Sequence, residues 1–109
     1  RALLADEMGL GKTFQAISVA LCYHDDWPLL IVCPKSLAGT WKHQMSRWMS
    51  LSQQHSSGVH VCTSQKDDLL PHAKGATIAS YEVATKRAHD LKAIRYGVLI
   101  VDESHFLKS

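Results

Sequence analysis

The chain has 109 residues, of which 46% are hydrophobic, and a formal net charge of +2. This length suits one compact domain or part of one, and the charge is too small to indicate nucleic-acid binding by itself. Three cysteines without a C-x-x-C pair argue against a disulfide framework or a zinc site and favour an intracellular setting. No apolar run is long enough to suggest a membrane span.

The first third of the chain predicts a strand, a helix and a second strand. Arg1–Ala5 is a short apolar run before a glycine turn, which is typical of a buried strand. Apolar residues then recur at helical spacing and predict a helix over Lys12–His24. Pro28 ends the helical pattern. Leu29–Cys33 is continuously apolar, as a strand covered on both faces should be.

The middle of the chain predicts a second helix, capped at its start by Ser36. Its apolar residues fall on one helical face, which favours core packing over base stacking for the two tryptophans. These residues are Leu37, Trp41, Met45 and Trp48. The polar segment Ser50–Gly58 that follows is interpreted as a surface loop.

The last part of the chain again alternates between strand and helix patterns. Val59–Thr63 and Ala76–Ser80 predict strands, and Gln65–Gly75 between them fits either a loop or a loop with a short helix. Glu82–Leu91 predicts a helix, and Gly97–Glu103 is a strongly apolar strand. Such alternation predicts an α/β fold, a parallel sheet with flanking helices.

The segment DEMGLGKT ends like a phosphate-binding loop of the form G-x-x-x-x-G-K-[ST], with Asp6 at the first position. It lies between a predicted strand and a predicted helix, as such a loop requires. Lys12 would reach the β- and γ-phosphates of ATP, and Thr13 would bind Mg²⁺. The alternative is a chance glycine turn with a surface lysine. The candidate nucleotide-binding residues are Asp6, Glu7, Met8, Gly9, Leu10, Gly11, Lys12 and Thr13.

A phosphate loop predicts an acidic partner, and VLIVDESH near the other end of the chain fits that role. Asp102 would hold Mg²⁺, directly or through water, and Glu103 would act as general base on the attacking water. With Lys12 they are the candidate catalytic residues. The alternative is that the pair opens a solvated loop after a buried strand. His105 is more typical of a structural histidine than of a catalytic one.

Four segments, LLADEMGLGKTFQAI, LLIVCPKSL, ATIASYE and VLIVDESHFLKS, resemble in that order the first motifs of Swi/Snf-type ATPases of helicase superfamily two. DEMGLGKT is the usual loop in that family, so Asp6 agrees with this branch. DDWPLLIV and DESHFLKS are similar to the annealing-helicase group, which rewinds DNA and remodels stalled forks. Two positions are distinctive: Ser104 stands where nucleosome remodellers more often carry alanine or glycine, and Lys35 stands where serine is common.

The resemblance implies a RecA-like phosphate-loop NTPase fold with ATP bound between two lobes. Residues 1–109 would be the N-terminal ATP-binding lobe of a helicase-like enzyme, incomplete and without the second lobe. That lobe supplies an arginine finger worth about 10³- to 10⁵-fold in rate in related enzymes. We therefore expect a DNA-dependent ATPase in the intact protein and negligible hydrolysis by this chain alone. The implied location is intracellular, and nuclear if the source is eukaryotic, with no membrane partner.

The resemblance also implies contact with duplex or forked DNA after the second and fourth strands. The residues carried over are Lys35, Ser36, Leu37, Ser80 and Tyr81. Hydroxyls, a lysine and helix N-termini bind phosphate without reading bases, so such binding should be independent of sequence and sensitive to salt. Packing is an equally good interpretation for Tyr81. A solvated helix face is the favoured interpretation for Lys86, Arg87, Lys92 and Arg95.

Two further hypotheses remain open. The chain fits a truncated, non-hydrolysing module that binds nucleotide or DNA, because truncation would leave Lys12, Thr13, Asp102 and Glu103 intact. It also fits another superfamily-two enzyme, such as an RNA helicase or a restriction-type translocase. The segments DEMGLG and DESHFLKS disfavour this last hypothesis.

Overall fold

A computed structural model describes the backbone of residues 2–6, 10–51, 59–64 and 75–102, and the side chains of 15–49, 59–64 and 75–102. Strands and helices alternate along these ranges. The strands are β1 (Ala2–Asp6), β2 (Leu29–Cys33), β3 (Val59–Cys62), β4 (Ala76–Ser80) and β5 (Val98–Asp102). The helices are α1 (Leu10–Cys22), α2 (Ala38–Leu51), α3 (Tyr81–Lys86) and α4 (Ala88–Ile94), with 3-10 turns at His24–Asp26 and Lys35–Leu37.

The five strands form one sheet in the order β1-β5-β2-β4-β3. Every pair of neighbours is parallel, so the carboxyl ends of all five strands lie along the same edge. Strands β2 and β4 are buried throughout, which explains the continuously apolar sequence of β2 and the mostly apolar sequence of β4, where Thr77 and Ser80 are the polar exceptions. The predicted α/β fold with a parallel sheet and flanking helices is therefore confirmed.

Helices cover both faces of the sheet and divide the core into two layers. On one face, α1 and α2 pack against the sheet through residues such as Ile17, Trp41 and Met45. On the other face, α3 and α4 contribute Val83 and Leu91. None of the helices within the described ranges is long and apolar enough to cross a membrane.

Several element boundaries differ from the predictions. Helix α2 continues through Ser50 and Leu51, which the sequence assigned to a loop, because Met49 extends the buried stripe of this helix. The predicted helix over Glu82–Leu91 is two helices, since Arg87 between them has φ −116° and ψ 28°. The predictions for residues 52–58 and 65–74 lie outside the described residues.

A tight connection between α1 and β2 packs against the start of β5. Trp27 is buried, and its indole Nε1 donates to the carbonyl of Ala20 at 2.9 Å. The amide of Gly97 donates to the carbonyl of Pro28 at 3.0 Å. A Cβ atom at Gly97 would overlap the backbone carbonyl of Asp26. Glycine is therefore required at this position by the close approach of two backbone segments.

Candidate functional site

The two predicted nucleotide motifs meet at the carboxyl edge of the sheet. Strands β1 and β5 are neighbours, and Asp6 pairs with Asp102 in the parallel register. The candidate phosphate loop continues from Asp6, and the acidic pair begins at Asp102. Segments from opposite ends of the chain are therefore side by side, because β5 is inserted between β1 and β2.

The described part of the candidate phosphate loop is the start of α1. This helix begins at Leu10, and the backbone of Gly11, Lys12 and Thr13 lies in its first turn. The first amide groups of a helix have no carbonyl partner within it, so they are donors for an anion at this end. The predictions for Glu7, Met8 and Gly9, and those for Glu103 and His105, lie outside the described residues.

Asp102 is buried, with 1% of its surface exposed. Its Oδ2 atom accepts a hydrogen bond from the indole Nε1 of Trp41 at 2.9 Å. Burial raises the pKa of the Cys33 thiol to about 12, and the negative charge of Asp102 adds to this rise. The thiol is therefore protonated at physiological pH, and Asp102 lies buried with the indole of Trp41 as a hydrogen-bond donor.

The hydrogen bond from Trp41 was not predicted from the sequence. Core packing was expected for this residue and is confirmed, since Trp41 is 1% exposed and belongs to the core on the α1 and α2 face. A buried indole usually has a hydrogen-bond partner for its N–H group, so a tryptophan predicted to be in the core also predicts an acceptor near it. The identity of the acceptor depends on how α2 is placed over the sheet, and the sequence pattern does not give that placement.

A cleft of about 410 Å³ lies where β2 and β4 end. These strands are neighbours, and Cys33 pairs with Ser80 in the register, so the segments that follow them face each other. The cleft brings together four of the five residues predicted to contact DNA, while Leu37 packs against the core instead. The lining residues are Pro34, Lys35, Ser36, Ser80, Tyr81 and Glu82.

The residues around the cleft have structural roles that the sequence only partly indicated. Ser80 is 1% exposed, and its Oγ accepts the amide of Val83, which caps the start of α3. Tyr81 packs against the core and also lines the cleft, so core packing is confirmed for this residue and contact with DNA stays a prediction. Lys35, Ser36 and Glu82 are the exposed residues of the cleft, so these three can meet a ligand from solvent.

The basic residues of α3 and α4 include two that form ion pairs within the helices. Lys86 Nζ lies 3.3 Å from Glu82 Oε1, and Arg87 Nε lies 3.4 Å from Asp90 Oδ2. Pairs at this spacing on an exposed helix face contribute little to stability. Ion pairs of this kind are typical of a solvated helix face, which is the interpretation favoured from the sequence for the basic residues of this region.

Three features define a RecA-like α/β lobe. The parallel sheet has helices on both faces, the phosphate-loop motif leads from β1 into α1, and an acidic strand end lies beside that motif. The family model described as the SNF2-related domain matches residues 1–109. The chain belongs to this family.

Similar curated proteins have names that refer to chromatin and DNA. The chain is 42% identical over 110 residues to a SWI/SNF-related matrix-associated actin-dependent regulator of chromatin subfamily A-like protein 1 homolog from Caenorhabditis elegans, covering 99% of this chain. It is 38% identical over 114 residues to the human DNA annealing helicase and endonuclease ZRANB3, covering 100% of this chain. The match spans 15% of the first protein and 10% of the second.

Proposed function

We propose that residues 1–109 are the N-terminal ATP-binding lobe of a DNA-dependent ATPase that translocates on DNA and remodels or anneals it at forks. The observation that carries this proposal is the pairing of Asp6 with Asp102 at one edge of the sheet. This pairing puts the first residues of the two motifs side by side, which supports a single site for both. Membership of the SNF2-related family and the similarity to a protein named as a DNA annealing helicase support the proposed reaction.

The residues present fit Mg²⁺ and ATP. Asp102 is a buried carboxylate at a strand end, and Mg²⁺ is commonly bound by one or two carboxylates together with substrate phosphates. The amide groups in the first turn of α1 suit a phosphate. The candidates for the remaining protein contacts are Asp6, Glu7, Met8, Gly9, Leu10, Gly11, Lys12 and Thr13.

Each residue of the site has a distinct proposed role. Lys12 neutralises charge on the transferred phosphoryl group, and the Thr13 hydroxyl and the Asp102 carboxylate hold the metal. Glu103 orients the attacking water and accepts its proton. When bound, Mg²⁺ supplies charge stabilisation on the phosphate oxygens. An arginine from a second lobe completes the site, so the chain by itself is expected to hydrolyse ATP negligibly.

DNA is the proposed macromolecular partner, and the cleft between β2 and β4 is its proposed contact. Lys35 offers a positive charge, Ser36 offers a hydroxyl, and Tyr81 lines the same cleft. A lysine and a hydroxyl can bind phosphate without reading bases, so the proposed contact is with the DNA backbone and is independent of sequence. A nuclear location follows if the source is eukaryotic.

The proposal is tested by ATP hydrolysis in the longer, two-lobed protein that carries this sequence. Turnover is measured without nucleic acid and with duplex DNA, forked DNA or RNA, and the Lys12→Ala variant is the control. A sharp rise with forked DNA that disappears in the variant supports the annealing-helicase function. A rise with RNA alone would assign the protein to the RNA helicases. ATP binding without stimulation by any nucleic acid would support a binding module.

We predict that Lys35→Ala weakens DNA binding by about 5- to 10-fold near physiological salt. The variant removes one phosphate contact, so the slope of log K against log salt concentration should become shallower by about 1. Titration of labelled duplex DNA at several salt concentrations measures both quantities. The matched control is Lys42→Ala, because Lys42 is exposed on α2 and does not line the cleft. Equal losses in both variants would contradict a specific role for the cleft.

A further inference from the structure

Two buried tryptophans of this fold each donate a hydrogen bond from the indole N–H group, and the two acceptors differ. Trp27 is 4% exposed and donates to the backbone carbonyl of Ala20 at 2.9 Å. Trp41 is 1% exposed and donates to the side chain of Asp102, also at 2.9 Å. The first bond satisfies the backbone near the end of α1. The acceptor of the second bond is the Asp102 carboxylate, which is the proposed metal ligand.

The bond between Trp41 and Asp102 is of a strong type. A hydrogen bond to a carboxylate acceptor is generally stronger than one between neutral groups, and here the two bonds have the same length of 2.9 Å. Both partners are buried, and the low local dielectric strengthens the electrostatic attraction further. The two residues belong to α2 and β5, so this bond fixes the strand end relative to the helix that covers it.

The geometry makes Trp41 a rigid support for the carboxylate. The indole is held in the core beside Met45 and other buried residues, so the donor atom has little freedom to move. A fixed donor at Oδ2 sets the rotation of the carboxylate plane, and this also sets the position of the second oxygen. A metal ligand that is oriented in advance binds its ion more tightly than one that rotates freely.

We propose that Trp41 is a positioning residue that orients the Asp102 carboxylate for the metal that accompanies ATP. This inference rests on the proposed ATPase function and adds a residue to its site. Trp41 does not touch the nucleotide in this account; it acts through Asp102. Removal of its N–H group should therefore change metal affinity far more than it changes the packing of the lobe.

The test measures metal binding directly in the longer, two-lobed protein. Mn²⁺ replaces Mg²⁺ as the probe, and the electron paramagnetic resonance signal of free Mn²⁺ is followed with a non-hydrolysable ATP analogue present. Trp41 is replaced by phenylalanine and, separately, by 3-benzothienylalanine, an isostere of tryptophan that lacks the N–H group. The isostere retains the ring volume, so it keeps the test valid if Trp41→Phe fails to fold. The matched control places the same isostere at Trp27.

The expected result is an approximately 10-fold rise in the Mn²⁺ dissociation constant for both Trp41 variants, as for the loss of other groups that orient metal ligands. The Trp27 isostere should remain within about twofold of the wild type. A Trp41 isostere that also stays within twofold would overturn the positioning role and leave the ATPase proposal intact. Equal weakening by both isosteres would overturn it too, because packing would then be the cause. Wild-type protein that binds no Mn²⁺ with the analogue would overturn both proposals.

Discussion

Replacing Asp102 with asparagine is expected to lower kcat for ATP hydrolysis by about 10²- to 10³-fold in the full-length protein. The amide has nearly the shape of the carboxylate but lacks its charge, so it is a poor ligand for Mg²⁺. Its oxygen still accepts the indole N–H of Trp41, and the fold should be retained. The measurement is DNA-stimulated phosphate release at saturating ATP and Mg²⁺, together with a thermal unfolding curve without nucleotide.

Asp90→Asn is the matched control for this prediction. Asp90 is an exposed carboxylate on α4 that pairs with Arg87, and loss of this surface pair should leave kcat within about twofold of the wild type. The unfolding temperature of Asp102→Asn should stay close to that of the wild type, because the amide has nearly the shape of the carboxylate and its oxygen can accept the same indole N–H group. Unchanged turnover in Asp102→Asn would remove Asp102 from the site.

Gly97→Ala is expected to destabilise the lobe by about 2–3 kcal/mol. The added methyl group would overlap the backbone carbonyl of Asp26, and a backbone atom cannot move aside as a flexible side chain can. Relief of the overlap would require the turn before β2 to separate from the start of β5, which carries Asp102 at its other end. The midpoint of urea denaturation, followed by tryptophan fluorescence, measures the effect.

Gly39→Ala is expected to increase the stability of the same lobe. Gly39 lies in the first turn of α2, and a Cβ atom placed there would meet no atom within 4 Å. Alanine reduces the freedom of the unfolded chain, so this variant should be more stable than the wild type by about 0.4–1 kcal/mol. Loss of stability in Gly39→Ala, or wild-type stability in Gly97→Ala, would contradict the backbone packing described here.

The sequence predicted the sheet because each strand has a local signature. Leu29–Cys33 is apolar throughout and Ala76–Ser80 is mostly apolar, and the structure places both in the interior of the sheet. Helix α2 followed from the spacing of its apolar residues. The break at Arg87 was missed because Glu82–Leu91 has no proline or glycine to mark it. The order of the strands depends on long-range pairing, which local periodicity does not encode.

The candidate site was predicted in part, and the missing part has a physical cause. Motif chemistry pointed to Lys12 and Asp102, and the register between β1 and β5 brings their segments together. The resemblance implied that Lys35 and Ser80 both contact DNA, and the parallel pairing of β2 with β4 explains why they line one cleft. The bond from Trp41 to Asp102 links side chains from two elements, so only the packed fold reveals it.

The central claim is that the candidate phosphate loop and Asp102 form one site for ATP and its metal. The most direct test is the affinity of the full-length protein for a fluorescent ATP analogue, measured with and without Mg²⁺ in the wild type, Lys12→Ala and Asp102→Asn. One shared site predicts that Mg²⁺ tightens binding in the wild type, that this linkage is lost in Asp102→Asn, and that Lys12→Ala binds weakly in both conditions. Full retention of the Mg²⁺ effect in Asp102→Asn would contradict the claim.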